Sequence, residues 1–238
     1  TTGVKNTIIG GLAGDAITTA DNNTAVGMSA LGATTTGANN VALGQGSLQA
    51  NTTASNNTAV GNHALLSNTT GASNTAVGKS ALSLNATGQR NTALGFEAAE
   101  LSTASDNVAI GYKALDTTTS GSNNTAVGTE AMDANTTGSA NVAVGYRALD
   151  ANTTASNNTA VGQAALGANT TGTNNVAVGM NAVDANITGD QNTGIGQGAL
   201  SQNTTADDNT AVGFASLNGN TTGTFNTAVG SRSLDANT

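Results

Sequence analysis

Apolar and polar positions along the chain recur on a fixed schedule. The phrase Asn-[Thr/Val]-x-[Val/Ile/Leu]-Gly closes at Gly10, Gly27, Gly44, Gly61, Gly78, Gly95, Gly111, Gly128, Gly145, Gly162, Gly179, Gly196, Gly213 and Gly230. Every step is 17 residues except Gly95 to Gly111, which is 16. Inside the phrase the second and fourth positions are β-branched or aliphatic, and the third is mostly Ala. Such alternation predicts a short strand with the two larger side chains turned inward and the small Ala outward. Thr and Val exchange at the second position because they are near-isosteres, provided a buried hydroxyl finds a partner.

Four residues after each Gly runs a second apolar column, from Leu31, Leu48, Leu65 and Leu82 through Met132 and Val183 to Leu234, broken only by Gly14. A period of 17 suits one coil of a β-solenoid and is too short for a pair of helices. The expected fold is therefore all-β, a parallel β-solenoid of about 14 coils forming a single repeat domain over residues 1–238. Each coil offers about three core side chains, so the coils depend on one another. At about 4.8 Å per coil the stack is a rod on the order of 65 Å long. Its ends carry no amphipathic or charged cap, which points to a segment of a longer fibre or to partners covering the edges.

Two further columns look structural. The leading Asn, as at Asn57, Asn74, Asn91, Asn124, Asn141 and Asn158, is expected to stack its amide on the next coil as a hydrogen-bonded ladder. The closing Gly, as at Gly61, Gly78, Gly95, Gly128, Gly145 and Gly162, implies a positive φ or a close backbone approach. At the other corner, Gly71 and Gly88 alternate with Ala54 and Ala104, so that corner needs a small residue rather than a left-handed one.

Composition narrows the class. Charged residues are 8% and aromatics 2%, with no Pro, Trp or Cys, against about 25% charged in ordinary domains. A compact globule with so few large side chains would struggle to offset its conformational entropy, and the strict repeat argues against disorder. A net charge of −8 argues against nucleic acid and anionic membrane partners. No apolar run approaches the roughly 20 residues of a membrane-spanning helix, so membrane insertion is not expected.

Here the residues carry a likeness. NNVAVG (174–179), NNVALG (39–44) and DNVAIG (106–111) resemble the N-S-V-A-I-G signature of YadA-like heads in trimeric autotransporter adhesins. The phrasing N-T-A-V-G-x-x-A-L-x-x-N-T-T-G is also similar to repeats of phage tail fibres. The adhesin resemblance implies a left-handed β-roll, three chains side by side, and attachment at a bacterial surface. The coil of 17 is longer than that family's usual one.

Candidate chemistry is sparse. The only His, His63, has no Cys or carboxylate neighbours in sequence, no Ser/His/Asp set assembles around it, and no GxxxxGK[ST] occurs. A non-enzyme without catalytic residues, cofactor or metal is expected. Asp116, Asp133 and Asp150 share a column with Asp184 and Asp235, a spacing that could hold calcium; Gly, Ser and Gln fill the column elsewhere, which reads as a solvated corner. Thr53, Thr70, Thr87, Thr137, Thr154 and Thr171 form a rank eight residues before the motif Gly. Turned outward, with the preceding Thr inward, that rank resembles an ice-binding face; the plainer reading is a good β-former at a corner. Asn51, Asn68, Asn135, Asn152 and Asn169 begin Asn-x-Thr sequons. The functional expectation is a structural or adhesive segment of an extracellular or cell-surface fibre. It would self-associate as a trimer or end-to-end filament and meet a host or surface ligand, with an ice-binding solenoid as the alternative.

Overall fold

The computed structural model describes residues 2–236 as two compact units, Thr1–Ser120 and Gly121–Thr238. Each unit is a parallel β-solenoid. The first holds β1 (Thr7–Ile9), β2 (Thr24–Val26), β3 (Val41–Leu43), β4 (Thr58–Val60), β5 (Thr75–Val77), β6 (Thr92–Leu94) and β7 (Val108–Ile110). The second holds β8 (Thr125–Val127), β9 (Val142–Val144), β10 (Thr159–Val161), β11 (Val176–Val178), β12 (Thr193–Ile195), β13 (Thr210–Val212) and β14 (Thr227–Val229). Within a unit each strand pairs with the next in parallel, and the register puts like on like: Thr58 beside Thr75, Ala59 beside Ala76, Val60 beside Val77. The short coil keeps this register, with Thr92 beside Val108 and Ala93 beside Ala109.

The alternation is present, but its phase is opposite to the sequence expectation. Ala59, Ala76 and Ala126 are buried at the strand centres, whereas Thr58 and Val60 are only half-buried and face outward. The reason is depth. Behind each strand lies the Leu column, with Leu65, Leu82, Leu115 and Leu149 fully buried, and between the two there is room for little more than a methyl group. Gly194 measures it: a Cβ there would lie 2.5 Å from Cγ2 of Val183 and 3.1 Å from the Ala199 carbonyl oxygen. The first coil shows the same volume divided the other way. Ile8 replaces the strand-centre Ala and Gly14 replaces the Leu, and a Cβ on Gly14 would meet Ile8 Cδ1 at 2.9 Å. The core side chains of a coil are thus Ala, the preceding turn's Ala or Ser, and Leu, rather than the two β-branched residues of the motif.

The remaining turns of each coil are strained and held by neighbours. After Gly61, His63, Leu65 and Ser73 lie at φ 59°, 50° and 61°, a region costing most L-residues roughly 1–2 kcal/mol. Their N–H groups all leave the coil, to the carbonyls of Gln45 (2.9 Å), Ala81 (3.0 Å) and Ser55 (3.2 Å). The closing Gly satisfies both sequence expectations. Gly61 has φ 135°, and a Cβ on it would lie 2.5 Å from the Gly78 carbonyl oxygen. Gly71 and Gly88, at the other corner, are not in the left-handed region.

Two outcomes follow for thermal unfolding followed by circular dichroism. Ala76→Leu overfills the one-methyl gap and lowers stability by about 1–3 kcal/mol, where an outward Ala would tolerate the change. Ala140, exposed at φ 58° in a column that most coils fill with Asn or Asp, gains about 0.5–1 kcal/mol on Ala140→Asn, since Asn tolerates this conformation better.

Candidate interaction face and ladders

The leading Asn column is buried and bonds from coil to coil. In Asn57 the backbone N–H donates to Asn40 Oδ1 at 2.9 Å and the Nδ2 donates to the Gly71 carbonyl at 2.9 Å, while its own Oδ1 accepts the Asn74 N–H at 2.9 Å. Asn91, Asn124, Asn141 and Asn158 follow the same scheme. Direct amide-to-amide contacts in this column are long and occasional, as from Asn141 to Asn124 at 3.2 Å. The expected amide ladder exists instead in the Asn of the NTT corner. Asn68 Nδ2 donates to Asn51 Oδ1 at 3.2 Å, Asn152 to Asn135 at 2.8 Å, and Asn169 to Asn152 at 3.1 Å. The sequon reading of Asn51, Asn68, Asn135, Asn152 and Asn169 hid this role; all five are buried at 0% exposure, which leaves no room for a glycan in the folded chain. Their recurrence at one place, three residues before a small residue, was the available sign.

The Thr rank lies outside as expected: Thr53, Thr70, Thr87, Thr137, Thr154 and Thr171 are all exposed. The preceding Thr column is only half-buried, and its hydroxyls donate to the next coil's carbonyl, Thr52 to Thr69 at 3.2 Å and Thr153 to Thr170 at 3.1 Å. In the short coil Thr103 takes that inner role, donating to the Thr119 carbonyl at 2.6 Å, so the outer rank is interrupted there. One hydroxyl projects from this corner in each 17-residue coil of the rank.

The inverted strand phase creates a broader face. From every strand after β1 the first and third residues project outward, and they are Thr, Val, Leu or Ile without exception. Leu43, Leu94 and Ile195 are exposed, as are Ile9 and Val229. No charge interrupts this double column. Just past the closing Gly stand bulkier exposed residues, Met28, Phe96 and Tyr112 in the first unit and Tyr146, Met180 and Phe214 in the second. Phe96 and Tyr112 stack with centroids 5.6 Å apart, and Lys79 Nζ sits 5.3 Å from the Phe96 ring.

Charged groups pair along the turns. Arg90 holds Asp106 at 2.6 Å and draws its carboxyl below the usual range through that hydrogen bond. Lys113 pairs with Glu97 at 3.3 Å and Asp116 at 3.6 Å, and Arg147 with Asp150 at 2.7 Å. Among the described residues no three His, Cys, Asp or Glu side chains gather to hold a metal. His63 stands half-buried at a left-handed position. A shallow trough of about 620 Å³ over the first unit's turns passes Leu12, Ser29 and Leu66 and contains one titratable residue, Asp15. Another of about 430 Å³ in the second unit passes Tyr146, Gln163 and Asp184. No helix of the described residues is long and apolar enough to cross a membrane. No protein-family model matches the chain, and no curated protein matches it in sequence.

Asp150 and Asp184 lean into the notch that Gly167 leaves, where a Cβ would lie 2.9 Å from one carboxylate and 3.5 Å from the other. Burial first, and Asp150 second, raise the Asp184 carboxyl above its ordinary 3.8. A raised carboxyl favours the fold below its ordinary value, and that contribution is lost as pH rises through the folded value. Asp184→Asn therefore melts higher than the parent at pH 7, with the difference closing as pH falls toward 3.8 in parallel thermal scans.

Proposed function

We propose that this chain is a non-enzymatic structural and adhesive segment of an extracellular or cell-surface fibre, and that it self-associates through the outward strand face. The observation that carries the reading is the uncharged double column of Thr/Val and Val/Leu/Ile on that face. Contiguous exposed apolar surface of this kind marks association sites. A partner must present the same spacing of about 4.8 Å to meet every coil, and a second copy of the chain does so by construction. The thin core adds a reason. With little beyond Ala and Leu as the buried apolar side chains of a coil, apolar area covered between copies contributes materially to stability. The lateral surface is then not the Ala column, which is buried, but its Thr and Val neighbours. Trimers packed side by side fit this surface, whereas an end-to-end filament would pair coil edges instead; the resemblance to adhesin heads favours trimers and an extracellular location. The net charge of −8 speaks against nucleic acid as a partner.

A specific observation also favours ice as a second reading. Thr58 and Val60 point the same way from one strand, so the strand face offers two aligned ranks where the Thr corner offers one. A monomer with this face uncovered would present it to water.

Light scattering on the full chain separates the two. Association gives a mass that is a multiple of 22.9 kDa, and Val60→Glu with Val77→Glu and Val127→Glu returns it to a monomer that keeps its strand dichroism. A parent chain that is monomeric at every concentration defeats the fibre reading, and thermal hysteresis then becomes the discriminating measurement.

A further inference from the structure

The coil between Gly95 and Gly111 departs from the repeat in three ways at once. It is one residue short, Ala99 stands where its neighbours have Leu82 and Leu115, and Ser102 stands where Asn85 and Asn68 lead. The corner Asn ladder of the first unit climbs from Asn51 to Asn68 to Asn85, each Nδ2 donating to the Oδ1 below at 3.2 Å. Asn85 Oδ1 is oriented to accept the next amide, and Ser102 ends too early to supply it. Asn85 and Ser102 are both 0% exposed, and neither Asn85 Oδ1 nor Ser102 Oγ has a hydrogen-bond partner in the protein.

Buried polar atoms are rarely left unsatisfied, and pairs of them beside a void recruit ordered water. A water needs two to four polar partners and roughly 30 Å³. The exchange of Asn for Ser withdraws an amide, and Ala99 withdraws most of a Leu side chain from the same coil, with Ser102 N–H bonded to the Ala99 carbonyl at 3.1 Å. We propose that a single buried water completes this rung, donating to Asn85 Oδ1 and bonding Ser102 Oγ, and that the hydrated rung makes the short coil the place where the first unit opens most readily. Outside, the coil is fastened by the Phe96–Tyr112 stack at 5.6 Å, the Glu97–Lys113 pair at 3.3 Å and the Arg90–Asp106 pair at 2.6 Å. These surface fasteners sit on the coil that lacks both the Leu and the corner Asn of its neighbour below.

The sign of one melting shift tests the water. Ser102→Ala removes one of its partners and melts lower than the parent by about 2–4 °C. If the hydroxyl is instead unpaired, its removal relieves a desolvation penalty; melting that is unchanged or higher overturns the proposal. Ser102→Asn restores a direct rung and melts higher. Hydrogen exchange read by mass spectrometry tests the opening. The segment 96–107 exchanges about five- to tenfold faster than 62–73 in the parent, and the gap closes in Ser102→Asn. Equal rates for the two segments in the parent overturn the second half of the proposal. Should Ser102→Asn fail to fold in the shortened coil, the sign for Ser102→Ala and the parent exchange rates still decide.

Discussion

A coil of this protein cannot satisfy its own backbone. With strands of three residues, the ladder bonds, the N–H groups of the left-handed turn residues and the Asn side chains reach for partners one coil away, at sequence separations near 17. A single coil in water is therefore a set of strained turns with its polar groups facing solvent. Stacking converts the same geometry into a lattice of coil-to-coil bonds, and the energy that holds left-handed Leu65 and His63 in place comes from the coils on either side. This is why the repeat is so strict. A residue that changes the rise between coils at one corner breaks the bonds of two neighbours, and the closing Gly, with no space for a Cβ beside the next Gly, fixes that rise.

The same constraint sets the core. Coils held this close by short strands enclose a space one Ala and one Leu deep. Its total volume is what matters, as the exchange of Ala and Leu for Ile8 and Gly14 shows, and as Gly194 against Val183 shows again. A β-branched side chain at the strand centre has nowhere to go unless the turn behind it gives up its Leu. Thr and Val are consequently displaced to the outside, where a parallel strand still favours them. The half-apolar face is thus a consequence of a shallow interior.

The period, the strands, the Gly corner and the Leu column were all legible in the sequence because each depends on spacing alone. The phase of the strand was not. Alternation states that Ala59 and Val60 face opposite ways, and the usual preference for burying larger apolar groups then picks the wrong one. Only the distance to Leu65 and Leu82 behind the strand decides, and no pattern within one coil encodes that distance. The corner Asn ladder was missed for a related reason. Asn51 and Asn68 sit in a segment rich in turn residues, and a polar side chain there is ordinarily solvated; its burial appears only once coils are stacked. The Thr rank was placed outside correctly, since a corner has no second layer to compete for it.

On the proposed reading, uniformity itself shapes how the chain associates. A face that repeats Thr/Val and aliphatic residues from strand to strand has no unique centre, so each coil adds a small equivalent contact and the total grows with the number engaged. Such a face is also degenerate: two copies displaced by one coil meet nearly the same surface. Register must then be set by what does not repeat. At the position just past the closing Gly, the bulky Phe96, Tyr112 and Tyr146 are spaced unevenly along the sequence among residues such as Asn62, Thr129 and Gln163. The 16-residue step between Gly95 and Gly111 shifts the corner columns at one place only. A copy slid by one coil would bring these features against the wrong neighbours while the strand face stayed satisfied. Affinity and alignment thus fall to different columns of the same coil, the first to residues that are constant and the second to residues that vary.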